Sequence, residues 1–457
     1  MPTLLLTAAA VIDAQGFSAA PGALLLEVST FDALSTRPGH VPDTWCRSKC
    51  LLSGTVAEVV ASPQSVGTRR IDLPHSILIP ALVNAHTHLD LTHLGPRAHD
   101  AASGFSGFAR LVMQSRPRDE AAVRAGVREG VRLSLAGGVV GVGDIAGMVT
   151  PTLTTWATDE LGAGPLMGTS FLEFFAMAGA AIERLDSAIA PARQLRPASS
   201  RVRVGLSPHA PYSVSARGYQ HAMDLRRGLN LPVSTHLAES THERDAVVHA
   251  RGPAIDLLQS LGVYDDEARQ WLGHARSPVD RLSEVIARAR ETRAAPLSLV
   301  HCNDLSDADL DVIASSDASV IYCPRSSAYF DAPAAFGPHR YRDLLARSVN
   351  VALGTDSIIN LPERLTRISP WDEAVFLHRR DGLDARTLLA MITSNAARAI
   401  GLPAAAFSFS DGEPESASAG VVALEVGEPA GRSGARMLEA AMSSEVGPRL
   451  MVLGSLD

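Results

Sequence analysis

The chain has 457 residues, of which 46% are hydrophobic and 20% charged, and its formal net charge is −8. That balance belongs to a globular protein with one large domain or two to three ordinary ones. It leaves no basic footprint for nucleic acid or an anionic membrane, and no apolar run reaches the ~20 residues of a membrane-spanning helix.

The four cysteines, Cys46, Cys50, Cys302 and Cys323, are too few for a disulfide scaffold, so a reduced, cytoplasmic setting is expected. Cys46 and Cys50 read as loop residues or as half of a metal site whose second pair is missing. Lys49 is the only lysine.

The apolar start, Met1 to Ala10, lacks a basic flank and reads as a strand rather than an export signal. Leu4–Leu6, Ala23–Val28 and Gly54–Val60 are strand candidates, with a loop from Pro38 to Arg47. Residues 1–76 are expected to form the N-terminal part of a small β-sandwich.

From Ile77 the texture changes. Apolar runs at 77–83, 138–144, 166–173, 202–207, 231–236, 297–301, 318–323 and 349–356 alternate with helical stretches such as 119–136, 216–229, 240–260, 277–292, 306–315 and 340–347. Strands alternating with helices imply a parallel sheet. Eight such units predict an α/β (β/α)8 TIM barrel over 77–401, with a doubly wound open sheet as the alternative. Polar residues close many of these strands. That favours the barrel, whose catalytic residues come from strand C-termini.

A final helix is expected at 385–401 and a loose loop at 403–419. Strands at 421–426 and 451–453 would complete the sandwich, making 402–457 its C-terminal part.

The first apolar run leads into Asn84-Ala85-His86-Thr87-His88. Residues i and i+2 of a strand share a face, so His86 and His88 aim together. They either hold one divalent metal, zinc or iron, or are two unrelated surface histidines. His236, His301 and Asp356 close the fifth, sixth and eighth strands, and Glu239 follows His236 by three residues. Singly, such histidines are usually hydrogen-bonded core residues, and Gly354-Thr355-Asp356-Ser357 is usually a turn or cap. On one barrel rim they supply three to four nitrogen ligands, one oxygen ligand and a spare carboxylate. That suits a catalytic metal site with a position open to water.

Pro80-Ala81-Leu82-Val83-Asn84-Ala85-His86-Thr87-His88 resembles the opening signature of the amidohydrolase superfamily. Ser207-Pro208-His209-Ala210-Pro211-Tyr212-Ser213, His236-Leu237-Ala238-Glu239, His301-Cys302, Cys323-Pro324-Arg325-Ser326 and Leu353-Gly354-Thr355-Asp356-Ser357 are similar to one branch of it. That branch holds the S-adenosylhomocysteine and methylthioadenosine deaminases, guanine deaminases, aminodeoxyfutalosine deaminases and triazine hydrolases. The resemblance covers residues 70 to 401 and implies the barrel plus a sandwich built from both chain ends.

It further implies that His86, His88, His236 and Asp356 bind one divalent metal, Zn2+ ahead of Fe2+. Glu239 and His301 would stand beside the bound water. His209 would contact the substrate, with Tyr212, Arg325, Ser326 and Glu173 as further pocket residues. A homodimer is the family-level expectation. Binuclear relatives bridge two metals with a carboxylated lysine on the fourth strand, and this chain has none there, so the site is expected to be mononuclear. Three features depart from the pattern: Ala81 after Pro80, Ser327 after Ser326, and the tail from Glu413 to Val422 in place of the usual strand entry.

The reaction these residues imply is deamination of an aromatic ring, with adenine in a nucleoside-like compound as the expected substrate. The metal lowers the pKa of a water from about 15.7 toward ~7. Asp356 and His301 take up and orient its proton, and hydroxide attacks the ring carbon that bears the amine. Glu239 protonates a ring nitrogen and then helps ammonia leave. The alternatives are a chloride or alkylamine hydrolase acting on triazines, a guanine deaminase on the same site, or a non-catalytic scaffold. The retained Glu239 favours the deaminase, and the full ligand set argues against the scaffold.

Overall fold

The structure is a computed structural model. It describes residues 1–30, 47–100, 104–147, 151–177, 201–291, 295–364, 366–409, 419–428, 431–444 and 446–454. Cys46, the loop expected from Pro38 onward (Arg47 apart) and residues 410–418 of the expected tail loop lie outside the described residues.

The described strands fall into two sheets. β1 (Thr3–Ile12), β2 (Ser18–Ala19), β3 (Gly22–Val28), β4 (Arg47–Thr55) and β5 (Arg69–Pro80) precede β6 (Leu82–Thr87), β7 (Val139–Ala146), β8 (Met167–Phe174), β9 (Val202–Pro208) and β10 (Val233–Leu237). Then come β11 (Leu297–His301), β12 (Ser319–Tyr322), β13 (Val351–Leu353), β14 (Gly420–Glu425) and β15 (Arg449–Gly454).

Strands β6 to β13 lie side by side in chain order, every pair parallel. Helices such as Glu120–Ala136 and Ala216–Leu229 connect them. This is the (β/α)8 barrel, and most of these strands are buried along their length, as a parallel sheet covered by helices requires. β13 and β6 close it through loop backbone. The amides of Thr355 and Asp356 both donate to the carbonyl of His86 at 3.0 Å. Asn84 locks the same seam: its Nδ2 donates to Thr355 Oγ1 at 2.8 Å, and its Oδ1 accepts from the Thr355 amide at 3.0 Å.

The second sheet runs β2-β1-β3-β4-β15-β14-β5, and β1 also pairs with β5. Strands from both ends of the chain therefore share this second sheet, which the β1–β5 pairing closes. Leu4, Leu6, Leu24, Leu26, Leu78, Val421 and Val452 fill its core.

Three local expectations change. The run 77–83 is divided between the sheets: Ile77 to Pro80 pairs antiparallel with β14, and only from Leu82 does the chain enter the barrel. An apolar run buried on both faces carries no mark of such a switch. Gly54–Val60 is not a strand, because the chain turns into a helix at Val56–Ala61. Thr55 caps it: its hydroxyl accepts from the Glu58 amide while the Glu58 carboxylate accepts from the Thr55 amide. The helix expected at 385–401 is two helices, Ala385–Met391 and Ser394–Ala399.

Gly354 lies where the barrel closes. A Cβ there would stand 2.8 Å from His86 Cβ and 2.9 Å from its carbonyl oxygen. Gly354→Ala is expected to cost about 1–3 kcal/mol of stability by forcing the first and last strands apart. A thermal unfolding midpoint equal to wild type would show that the seam tolerates the methyl group.

Candidate active site

The residues that close the barrel strands meet at one rim. His86 lies next to the last residue of β6 and His88 directly after the strand, with ring centroids 5.0 Å apart. His236, on β10, lies 5.1 Å from His86 and 5.7 Å from His88. One ring nitrogen from each of the three falls within 4.8 Å of the others. Asp356 Oδ1 faces two of them, at 3.6 Å from His86 Nε2 and 3.3 Å from His88 Nε2.

The residues present fit a divalent metal. Both ring nitrogens of His86 and Nδ1 of His88 are buried without a hydrogen-bond partner among the described residues, a costly arrangement unless something binds there. His236 Nδ1 donates to the His209 carbonyl at 3.0 Å. A carbonyl only accepts, so the lone pair of His236 is on Nε2. This is the outer hydrogen bond that orients a metal-ligating histidine. Asp356 Oδ2 accepts from Ser326 Oγ and from Asn360 Nδ2, both at 2.7 Å, which leaves Oδ1 for the site.

Electrostatics agree with ligand duty. Burial, reinforced by the neighbouring imidazoles, holds His236 well below its ordinary value and so keeps it neutral. Burial lowers His86 too, against the pull of Asp356. Burial also opposes charge on His88, but the facing Asp356 outweighs it and raises that imidazole. Burial would raise Asp356, yet the imidazoles of His86 and His88 bring it well below the usual carboxylate range.

Glu239 stands apart from the ligand cluster. Burial, with Asp356 and Glu243 nearby, pushes its carboxyl well above the ordinary value, which favours its protonated form. Its Oε1 is 3.5 Å from Nε2 of His301. The sequence reading overlooked what holds it. Glu243 accepts from the amides of Ala238 and Glu239 at 2.9 and 2.8 Å, and Asn303 Nδ2 donates to the Glu239 carbonyl at 3.0 Å.

A cavity of about 480 Å³ opens over these groups, within the size range of small-molecule sites. His88, Glu173, His209, His236, Glu239, His301 and Asp356 line it, with Tyr212 beside them. Phe108, Val112, Met113, Phe175 and Leu257 add apolar wall, and Met113, Phe175 and Leu257 are exposed towards solvent. Arg116 also lines it, paired with Asp90 at 2.9 Å and facing Glu173 at 3.8 Å. Burial raises the Glu173 carboxyl, and Arg116 opposes that shift. His209 lies 4.5 Å from the Phe175 ring, and burial takes its pKa down to about 3.

Two residues expected in the pocket are placed elsewhere. Ser326 turns to Asp356. Arg325 turns to the buried Glu373, which accepts from its amide at 2.9 Å and faces its guanidinium at 3.8 Å. Neither lines the cavity. They follow a strand end in sequence, but the helix Pro324–Tyr329 starts there and carries their side chains away from the rim. Arg116, Asp90, Asn360 and Glu243 carried no signal beyond their residue type. β9 holds no lysine, as the sequence showed.

The chain belongs to the amidohydrolase family, whose sequence profile matches residues 77–406. It is a hydrolase of carbon–nitrogen bonds in a metal-dependent family. An aminodeoxyfutalosine deaminase of Deinococcus radiodurans is 28% identical over 76% of this chain and 80% of its own length. Among solved structures, a zinc-bound adenosine deaminase from Xanthomonas campestris superposes with a TM-score of 0.67 and 20% identity, covering 99% of this chain and 94% of that one. A triazine hydrolase from Arthrobacter aurescens gives 0.68 and 16%, covering 96% and 90%.

Asn360→Ala and Ser326→Ala each free Asp356 Oδ2. Each is expected to weaken metal binding about 10- to 100-fold, read by chelator competition. For Ser326→Ala, an unchanged metal affinity with a raised KM would return that residue to the substrate.

Proposed function

We propose that this chain is a mononuclear metal-dependent deaminase that replaces an exocyclic amine of an aromatic ring, adenine in a nucleoside-like compound, with release of ammonia. The observation that carries the reading is a buried Glu239, its carboxyl raised by burial, beside a set of three imidazoles and one carboxylate. Such a pair of environments suits one carboxylate for ligation and another for proton delivery. The match to aminodeoxyfutalosine deaminase supports the substrate class.

His86, His88, His236 and Asp356 would hold the ion. Zinc is the proposed ion, with iron second, because imidazole and carboxylate serve both. When bound, the ion acidifies a water and polarises the reacting centre. His301 and Asp356 orient that water and receive its proton. Glu239 delivers a proton to the ring nitrogen next to the amine-bearing carbon, which makes that carbon electrophilic. Glu239 then takes up the proton that His301 received from the water and passes it to the departing amine, and the hydroxyl proton left on the ring carbon restores Glu239, so one water is consumed and one ammonia released. His209 stays neutral because of burial and contacts the ring without adding charge. Glu173, Tyr212 and Arg116 line the rest of the pocket. A cytoplasmic setting is proposed on the buried free thiols of Cys302 and Cys323.

Ammonia release is to be measured from zinc-loaded protein with adenosine, methylthioadenosine, S-adenosylhomocysteine, aminodeoxyfutalosine, guanine and a chlorotriazine. Turnover of an adenine compound is expected. Chloride released from the triazine, with no ammonia from any purine, would replace the reading. Glu239→Gln is expected to keep one metal per chain and lose about 10²- to 10⁴-fold in kcat. Near-wild-type turnover in that variant would remove the proton-delivery role.

A further inference from the structure

We propose that His339 is a positioning residue: it donates a hydrogen bond to the His301 carbonyl and so holds His301 in the backbone conformation that aims its imidazole at Glu239. The inference rests on the role given to His301 and Glu239 above.

His301 closes β11 with φ of +72°, and Cys302 follows with φ of +52°. Neither is glycine. Two successive side-chain-bearing residues adopt left-handed backbone only where their surroundings impose it. The strand neighbours do not impose it at the His301 carbonyl, since pairing with β12 ends at Val300 and Ile321. His339 Nε2 meets that carbonyl at 2.8 Å. A carbonyl only accepts, so Nε2 carries the proton.

His339 is itself fixed. It is 8% exposed, lies outside the cavity, and stacks on Tyr322 with ring centroids 3.7 Å apart at 18°. Burial lowers its pKa to about 4, so the donor is a neutral imidazole at working pH. On the opposite side, the Cys302 and Asn303 amides donate to the carbonyls of Leu237 and Ala238 at 2.8 and 2.9 Å. Those bonds tie the turn after β11 to the stretch that carries Glu239. The His339 bond grips the other end of the peptide unit whose N–H is the Cys302 amide, so that unit is held from both sides. If the carbonyl is released, the unit is held at its N–H alone, and the left-handed pair His301–Cys302 can relax about that single bond, carrying the imidazole of His301 with it.

A side chain that only filled the space over Tyr322 could be replaced by phenylalanine. His339→Phe keeps an aromatic ring and loses the donor, whereas His339→Gln keeps a donor of similar reach. His339→Phe is expected to fold, to retain its metal, and to lose about 10- to 100-fold in kcat with KM within about threefold, and His339→Gln is expected to recover most of that loss. In a His301→Gln background the His339→Phe change is expected to have no further effect, because the two act as one unit. A crystal structure of His339→Phe is expected to show His301 leaving positive φ and drawing away from Glu239.

Wild-type kcat in His339→Phe would overturn the inference, as would equal losses in the Phe and Gln variants, additive losses in the double variant, or an unmoved His301 in the crystal. If His339→Phe does not fold, His339→Asn, too short to reach the carbonyl, takes its place in every arm. If His301→Gln alone is fully active, the role assigned to His301 fails first. If no compound releases ammonia, the proposed function fails, and the crystal structure still decides the role of His339.

Discussion

Two amide hydrogen bonds onto one carbonyl, from Thr355 and Asp356 to His86, hold the first and last barrel strands together. Everything at the rim depends on that closure. His86 and His88 are carried by the first strand and Asp356 by the segment after the last, about 270 residues downstream. Asn84 repeats the connection with its side-chain amide, and Gly354 leaves room for the strands to approach. A closed parallel sheet thus converts a large separation in sequence into contact distances of 3.3 and 3.6 Å between imidazole and carboxylate.

Burial then decides what each group can do. In a dry rim an imidazole is cheaper neutral and a carboxyl cheaper protonated. The histidines follow that rule where no charge intervenes, as His209 and His236 do. The carboxyls divide. Asp356 keeps its charge because two imidazoles and two hydrogen-bond donors face it. Glu239 faces one imidazole, that of His301, and two neighbouring carboxylates, and burial raises it. One burial constraint therefore leaves one carboxyl lowered and another raised a short distance apart.

The rim is built from strand ends, but its alignment is set from outside the strands. Glu243 fixes the backbone of Glu239, Asn360 and Ser326 fix Asp356, and Glu373 fixes the start of the helix that carries Ser326. Each comes from a helix or loop packed behind the barrel. Such outer partners orient reactive groups that would otherwise be free to rotate.

Much of this was legible in the sequence. Strand period and terminal polar residues placed His86, His88, His236, His301 and Asp356 at strand ends, and a barrel sends strand ends to one rim. Glu239 was legible from its spacing to His236. Arg325 and Ser326 were misread, because adjacency to a strand end says nothing of where the next helix turns a side chain. Arg116, Asp90, Glu243 and Asn360 were not legible as site residues, since they meet the partners that place them only through packing. The run from Ile77 to Val83 hid its division between two sheets, as both halves are equally apolar. The sequence by itself determined the fold class and the chemistry of the rim, because alternation and residue type are local properties. Only the tertiary structure decided which oxygen of Asp356 is free, which carboxyl burial raises and which backbone is strained, because each of those depends on groups brought together by closure of the barrel.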